Sequence, residues 1–217
     1  MKRWFITGTD TEIGKTRVSC DLARYLVARG ERVAALKPIA SGCEETADGL
    51  RNDDALALMA AANVPLPYEQ VNPYAFKPPM APHLAAAEAG VEIDPAVAAH
   101  AAAQIEADWL LIEGVGGWSV PLNDDQMLAD LAREYTRQVL LVVGLRLGCI
   151  NHALLTAAQI ERDGFELVGW VANQVDPDML AAEGNFDALL RRMPVPCLGR
   201  LQYSPQAVEK SAGDWRI

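Results

Sequence analysis

Residues 8–16 read Gly-Thr-Asp-Thr-Glu-Ile-Gly-Lys-Thr, directly after the apolar run Trp4-Phe5-Ile6 and directly before a helical pattern. A strand, a glycine-bounded turn, Gly-Lys-Thr and then a helix is the context in which a phosphate-binding loop works. The backbone amides of the turn surround a polyphosphate, and the following helix directs its positive end at the same place. In such a loop Lys15 reaches the terminal phosphates and the Thr16 hydroxyl ligates Mg²⁺. The motif demands strand, turn and helix in that order, so it constrains the fold before any other segment is read. One detail departs from the usual pattern of four residues between the first Gly and Gly-Lys. Here there are five.

The rest of the chain alternates in the same way. Short apolar runs stand at Trp4–Ile6, Val33–Leu36, Trp109–Ile112, Val139–Val143 and Leu167–Ala172, with a weaker one at Cys197–Leu201. They do not alternate with polar residues, which is how strands buried on both faces of a parallel sheet read. Between them, Val18, Leu22 and Leu26 repeat along Lys15–Arg29, and Gly30 is a natural stop. Ile150–Asp163 followed by Gly164 repeats that pattern, and Asp94–Ala107 and Asp178–Arg192 are further helix candidates. Strands alternating with helices predict a doubly wound α/β fold, a mostly parallel sheet flanked by helices and P-loop NTPase-like. Pro65–Pro82 holds six prolines and predicts a long excursion on one face of the sheet.

With 217 residues the chain suits one domain over 1–217. Its net charge of −10 argues against nucleic-acid binding and against anionic membranes. No apolar run approaches the roughly 20 residues that span a bilayer, and no signal-type stretch opens the chain. The four cysteines, Cys20, Cys43, Cys149 and Cys197, form no C-x-x-C pair and read as free thiols of a cytoplasmic protein.

Ligands of open parallel sheets bind outside the carboxyl ends of the strands. Polar or glycine-rich residues stand at each exit: the loop itself, then Lys37-Pro38 with Ser41-Gly42, Glu113-Gly114-Val115-Gly116-Gly117, Gly148-Cys149-Ile150-Asn151, and Asn173-Gln174. Glu113 reads as a second Mg²⁺ ligand or as an acid solvated at a strand end. Asp54 reads as a metal ligand or as a first-turn acid beside an N-cap at Asn52 or Asp53. Lys37 reads as a solvated cation or as a group that holds an anionic intermediate. Gly148–Asn151 reads as a carboxylate site on free helix amides or as a helix start capped by Asn151. Asp10 and Glu12 are odd in a loop that binds anions.

These segments together resemble the dethiobiotin synthetase family. The resemblance is carried by residues 8–16, Leu-Lys-Pro-Ile-Ala-Ser-Gly at 36–42, Arg-Asn-Asp-Asp-Ala-Leu at 51–56 and Val-Asn-Pro-Tyr at 71–74. Pro82-His83, Glu-Gly-Val-Gly-Gly-Trp at 113–118, Gly-Cys-Ile-Asn-His at 148–152 and Gly-Trp-Val-Ala-Asn at 169–173 complete it. The five-residue gap is this family's form of the loop. The resemblance implies a homodimer that uses ATP, Mg²⁺ and CO2 to convert 7,8-diaminopelargonate to dethiobiotin, through a carbamate and a carbamic–phosphoric anhydride. It implies Lys37, Lys15 and Thr11 as the catalytic set, and Thr16, Asp54 and Glu113 as metal ligands. It implies nucleotide contacts at Glu12, Ile13, Gly14, Lys15, Thr16, Arg17, Asp54, Glu113, Gly114, Val115, Gly116, Asn173, Gln174, Gln202, Tyr203 and Ser204. Ser41 matches a substrate contact, and Gly148, Cys149, Ile150 and Asn151 match the part of a partner subunit that receives the substrate carboxylate.

The chain departs from the family after Leu201, where Gln202 stands in place of a common proline beside the base. The alternative reading, a partitioning-type ATPase switch with the same deviant loop, calls for a lysine five positions before Lys15. That position is Asp10.

Overall fold

The computed structural model describes residues 1–204 and 214–217. In chain order the elements are β1 (Lys2–Gly8), α1 (Lys15–Ala28), β2 (Val33–Leu36), β3 (Ile39–Ser41), β4 (Glu44–Thr46), β5 (Gly49–Arg51), α2 (Asp53–Ala61), α3 (Tyr68–Val71) and β6 (Tyr74–Phe76). They continue with α4 (Pro82–Glu88), α5 (Pro95–His100), β7 (Trp109–Glu113), α6 (Leu128–Tyr135), β8 (Gln138–Leu145), α7 (Cys149–Arg162), β9 (Glu166–Gln174), α8 (Ala182–Arg192) and β10 (Cys197–Leu201). Six strands form one sheet in the order β10-β9-β8-β1-β7-β2, and every pairing in it is parallel. Two small sheets stand apart, β3 with β6 in parallel and β4 with β5 antiparallel.

The unbroken apolar runs are explained by two cores. Side chains alternate across a strand, so Trp4 and Ile6 face one side of the sheet and Phe5 the other. Trp109 and Leu111 join the first core, with Val18, Leu22 and Leu26 of α1 and Leu58 of α2. Leu110 and Ile112 join the second, with Leu128 and Leu131 of α6, Ala153 and Ile160 of α7 and Leu189 of α8. A strand buried on both faces leaves few positions for polar residues, those near its carboxyl end apart, and the doubly wound fold follows. α1 ends as its sequence requires. Gly30 takes φ +86, and its N–H reaches the Val27 carbonyl at 2.9 Å.

Several boundaries differ from the sequence expectation, each for a local reason. The helix expected over Asp178–Arg192 begins only at Ala182, because Asp176 Oδ1 accepts from the Asp178 amide at 3.0 Å and holds a turn there. The helix expected over Asp94–Ala107 is α5 followed by a tight 3₁₀ turn, Ala101–Gln104, since the chain must deliver buried Ile105 to the core before β7. The proline-rich excursion is more ordered than expected. It carries α3 and β6, and Asn72 Nδ2 ties it to the Lys37 carbonyl at 2.7 Å. The exposed hairpin β4–β5 and the helix α6 were not anticipated. In α6 Asp130 reaches back to the Met127 amide at 2.8 Å, an N-terminal cap visible in the sequence.

The cysteines are free, with Cys20, Cys43 and Cys149 buried. Burial pushes the Cys20 thiol up to about 12, so it is inert near neutrality. Among the described residues no helix is long and apolar enough to cross a membrane.

The sheet seats the phosphate loop through Ile13, which is fully buried beneath it. Gly8 and Gly144 make room for that side chain, since a Cβ at Gly144 would lie 2.7 Å from Ile13 Cγ2 and 2.8 Å from its Cβ. Gly144→Ala is therefore expected to cost about 1–3 kcal/mol of stability by overpacking and to weaken nucleotide binding. Urea unfolding and a nucleotide titration check this, and unchanged values in both would contradict the account of how the loop is seated.

Candidate active site

The loop leaves β1, and the Thr9 amide donates to the Val142 carbonyl at 3.0 Å, which fixes the turn against β8. Glu12 takes the left-handed conformation at φ +58 and Gly14 at φ +78, so the amides of the turn point inward. Gly14 is also the N-cap of α1. A side chain there is excluded, because its Cβ would stand 2.1 Å from Asn173 Nδ2. Asn173 Nδ2 in turn donates to the Ile13 carbonyl at 2.8 Å. The loop is thus held from below by Ile13 and from the side by Asn173.

The two acids of the loop behave differently. Asp10 Oδ1 accepts from the Thr11 amide at 2.8 Å, and its other oxygen pairs with Arg146 at the exit of β8. Its charge is thus paired with that of Arg146. Glu12 is exposed and lies on the rim. Lys15 Nζ donates to the Asp10 carbonyl at 3.0 Å, a neutral acceptor. Burial, with the charge of Lys37 close by, lowers Lys15 to about 8.

Next to the loop lies a cluster of opposite charges. Lys37 Nζ donates to Glu113 Oε1 at 2.7 Å, stands 3.1 Å from Asp54 Oδ2 and reaches the Gly114 carbonyl at 3.3 Å. The Thr16 hydroxyl donates to the same Glu113 oxygen at 2.7 Å. Burial works to lower Lys37, but Glu113 and Asp54 together outweigh it and leave it raised. Burial likewise works to raise Asp54, and the charge of Lys37 above all brings it below the usual carboxylate range. Glu113 Oε2 is buried and has no hydrogen-bond partner. The solvated alternatives are excluded for Lys37 and Glu113, which are 4% and 1% exposed. Asp54 is a first-turn acid of α2 beside its N-cap. Asn52 is the N-cap, accepting from the Ala55 amide at 3.3 Å, and Asp54 turns its carboxylate to Lys37.

A cavity of about 820 Å³ opens over these groups. Thr11, Glu12, Gly14, Lys15, Thr16, Arg17, Lys37, Ser41, Asp54, Val115 and Gly116 line it. Ser41 Oγ is buried there without a partner. Sequence reasoning missed the far wall, Pro79 to Pro82 with Val120, and missed Arg146. The motif Pro82-His83 was the available signal for the first, while nothing local announces a pair 136 residues apart.

Other expected residues stand outside the cavity lining. Ile13 is a buried anchor, so only its backbone can meet a ligand. Gly114 follows Glu113 beneath the cavity, packed against Phe5. Asn173 and Gln174 lie behind the loop at the β9 exit, and Gln202, Tyr203 and Ser204 follow β10. Gly148–Asn151 starts α7 away from the cavity, with Gly148 as the N-cap at φ +94, Cys149 buried and Asn151 exposed. Asn151 does not cap the helix.

Among the described residues no group of three or more His, Cys, Asp or Glu side chains is poised around a metal position. Two carboxylates and a hydroxyl beside a phosphate loop suit Mg²⁺, which keeps most of its ligands as water and phosphate oxygen. The unpaired Glu113 Oε2 is the donor such an ion would satisfy.

Comparison with known proteins bears on this geometry. A family model described as an AAA domain matches residues 2–211. The ATP-dependent dethiobiotin synthetase of Pseudomonas aeruginosa (strain LESB58) is 54% identical over 204 residues, covering 93% of this chain and 90% of that protein. That of Xanthomonas oryzae pv. oryzae (strain PXO99A) is 50% identical over 206 residues, covering 94% and 92%. Among solved structures, the MinC:MinD cell division complex of Aquifex aeolicus matches with a TM-score of 0.61 at 15% identity, over 95% of this chain and 83% of that one. The signal recognition particle receptor FtsY of Elizabethkingia anophelis matches with a TM-score of 0.55 at 17% identity, over 92% and 56%. At such identities these two likenesses speak for the fold alone.

Sheet order, loop and structural neighbours give the chain a P-loop NTPase-like fold. Within that class, identity of half or more of the matched residues over nearly the whole chain is decisive. The chain belongs to the ATP-dependent dethiobiotin synthetase family, the cyclo-ligases of biotin biosynthesis.

The lowered Lys15 gives a direct readout. A bound polyphosphate supplies the charge that burial withholds, so binding restores the ordinary lysine value. Near pH 8, nucleotide binding is expected to take up about half a proton, falling toward zero near pH 6.5. Titration calorimetry in buffers of different ionisation enthalpy measures the uptake. Equal heats in all buffers at pH 8 would contradict the assignment.

Proposed function

We propose that this chain forms dethiobiotin from 7,8-diaminopelargonate, CO2 and ATP in the cavity beside the phosphate loop. The observation that carries the proposal is the placement of Lys15 and Lys37, two buried cations, on the wall of one cavity with the Ser41 hydroxyl. A plain nucleotide switch needs the loop but has no use for Lys37 or Ser41.

The steps follow from the charges. One amine of the diamine adds to the carbon of CO2, giving a carbamate and releasing a proton. A carbamate oxygen attacks the terminal phosphorus of ATP, ADP leaves, and a carbamic–phosphoric anhydride results. The second amine attacks the anhydride carbonyl and gives up a proton, phosphate leaves, and the ureido ring closes. Negative charge accumulates on the carbamate and on the transferred phosphoryl group, and a preorganised cation in a dry site is the most effective counterweight. Lys15 serves the phosphate side. Lys37 serves the carbamate and the phosphoryl group, exchanging part of its contact with Glu113 for the incoming anion. The Thr11 hydroxyl, at the open lip of the loop, donates to the same group.

Amides from Glu12 to Arg17 hold the phosphates, with Gly114, Val115 and Gly116 closing on them. Asn173, Gln174 and Gln202 to Ser204 border the base. Thr16, Asp54 and Glu113 would hold Mg²⁺, which when bound offsets charge on the phosphate oxygens. Ser41 meets the diamine. Gly148 to Asn151 of a second copy receive its carboxylate on the free amides of a helix start. We further propose that residues 1–217 are one domain that works in the cytoplasm as a homodimer, without nucleic acid or membrane.

Incubation with the diamine, bicarbonate and MgATP is expected to give the ureido product, with one ADP per ring closed, by mass detection. Brisk ATP hydrolysis without the diamine, and no ureido product with it, would sink the proposal. Lys37→Gln is expected to lower turnover by about a hundredfold or more while leaving nucleotide affinity within about threefold. An unchanged rate would remove Lys37 from the mechanism.

A further inference from the structure

Arg17 sits in the first turn of α1, and only 7% of it is exposed. A guanidinium carries five N–H donors and no acceptor. One of its terminal nitrogens donates to Asn173 Oδ1 at 3.0 Å, and the other donates to the Gln202 carbonyl at 2.6 Å. Both acceptors are neutral. Its Nε is buried and makes no hydrogen bond. The opposite charge near it is Asp21, one turn further along α1. Arg17 also forms part of the wall of the 820 Å³ cavity. The two hydrogen bonds leave one N–H hydrogen on each terminal nitrogen, so at the cavity wall this cation is suited to receive an acceptor from a ligand.

The sheet says which part of a ligand arrives there. β9 and β10 lie on one side of β1, while β7 and β2 lie on the other. Lys37 follows β2 and Glu113 ends β7. A nucleotide whose phosphates rest on the loop, with the terminal one toward Lys37, must send its base toward the β9 and β10 exits. Asn173 and Gln202 are the residues at those exits.

Both acceptors are fixed in place. Asn173 spends its amide on the Ile13 carbonyl at 2.8 Å, so its Oδ1 is the side that faces Arg17. β10 is clamped to α1 from beyond. Trp215 Nε1 donates to Asp21 Oδ2 at 2.7 Å, and the Trp215 ring lies so close to Gly199 that a Cβ there would come within 3.2 Å of it. An exocyclic amine on a base needs carbonyl oxygens to accept its hydrogens. Among the described residues Asn173 Oδ1 and the Gln202 carbonyl stand at this place, and each already accepts from the Arg17 cation, so an amine would have to share the remaining lone pair beside like-signed N–H hydrogens.

We propose that Arg17 is the specificity-determining residue for the nucleobase. It covers Asn173 Oδ1 and the Gln202 carbonyl and presents N–H donors in their stead, so the base end of the site reads a carbonyl in preference to an amine. ATP still serves, because its amine loses a partner without meeting a clash. A purine nucleotide with a carbonyl at the same ring position serves as well or better. The proposal rests on the ligase reading for the direction in which the triphosphate lies.

ATP and ITP differ chiefly in having an amine or a carbonyl at that position, so their ratio is the probe. The wild-type protein is expected to form the ureido product with ITP at a kcat/KM within about tenfold of that with ATP. Arg17→Met keeps the apolar stem and uncovers both oxygens, and is expected to shift the ratio toward ATP by about tenfold or more. Arg17→Lys, which can reach only one oxygen, is expected to fall between. Should Arg17→Met not fold, the wild-type ratio and Arg17→Lys decide. Preference of the wild type for ATP beyond about a hundredfold, or the same ratio in wild type and folded variants, overturns the proposal. Binding of ADP and IDP without the diamine reads the same preference independently of turnover. Absence of ureido product with either triphosphate would overturn the ligase reading, and the diphosphate ratio would then judge Arg17 alone.

Discussion

Lys37 and Glu113 meet at 2.7 Å in a place almost closed to water, and much of the site is arranged around that contact. Glu113 ends β7, Lys37 leaves β2, and Thr16 on α1 shares the same carboxylate oxygen. One buried carboxylate thus ties together the exits of two adjacent strands and the helix that carries the phosphate loop. Burying two charges is expensive, and their attraction repays it only when geometry and further hydrogen bonds are good. Here Lys37 has Asp54 and the Gly114 carbonyl as well, whereas Glu113 keeps one oxygen unmatched. The imbalance is local and points at the ligand. A cation at Glu113 Oε2 would supply the partner that this oxygen lacks.

The fold was legible because its signals are local. Each of the six main-sheet strands is an apolar run, and α1 and α7 carry both periodicity and a stop glycine. Where the reading failed, the determinants were short or distant. β4 and β5 are three-residue strands in charged, exposed sequence and carry no pattern to detect. The late start of α8 depends on one side-chain hydrogen bond at Asp176, stronger there than helix propensity. α6 was overlooked although its apolar stripe and Asp130 were present in the sequence.

The site was legible as a set of strand exits, and the sheet does gather Lys15, Thr16, Lys37, Ser41 and Asp54 around one cavity. What the sequence could not convey is partnership across long separations. Asp10 looked hostile to an anion until Arg146, far along the chain, was found to pair with it. Asn173 looked like a base contact and proves first to be a strut of the loop. Gly148–Asn151 reads as part of a site, yet within one chain it lies away from the cavity.

The central claim is that Lys37 and Glu113 form one electrostatic unit on which the site is built. A double-mutant cycle on stability tests it, with Lys37→Met, Glu113→Gln and the pair together compared by urea unfolding. The account predicts that Lys37→Met, which strands a buried carboxylate, costs about 3–5 kcal/mol, and that the double variant is far less destabilised than the sum of the singles. Single losses below about 0.5 kcal/mol that simply add would contradict it.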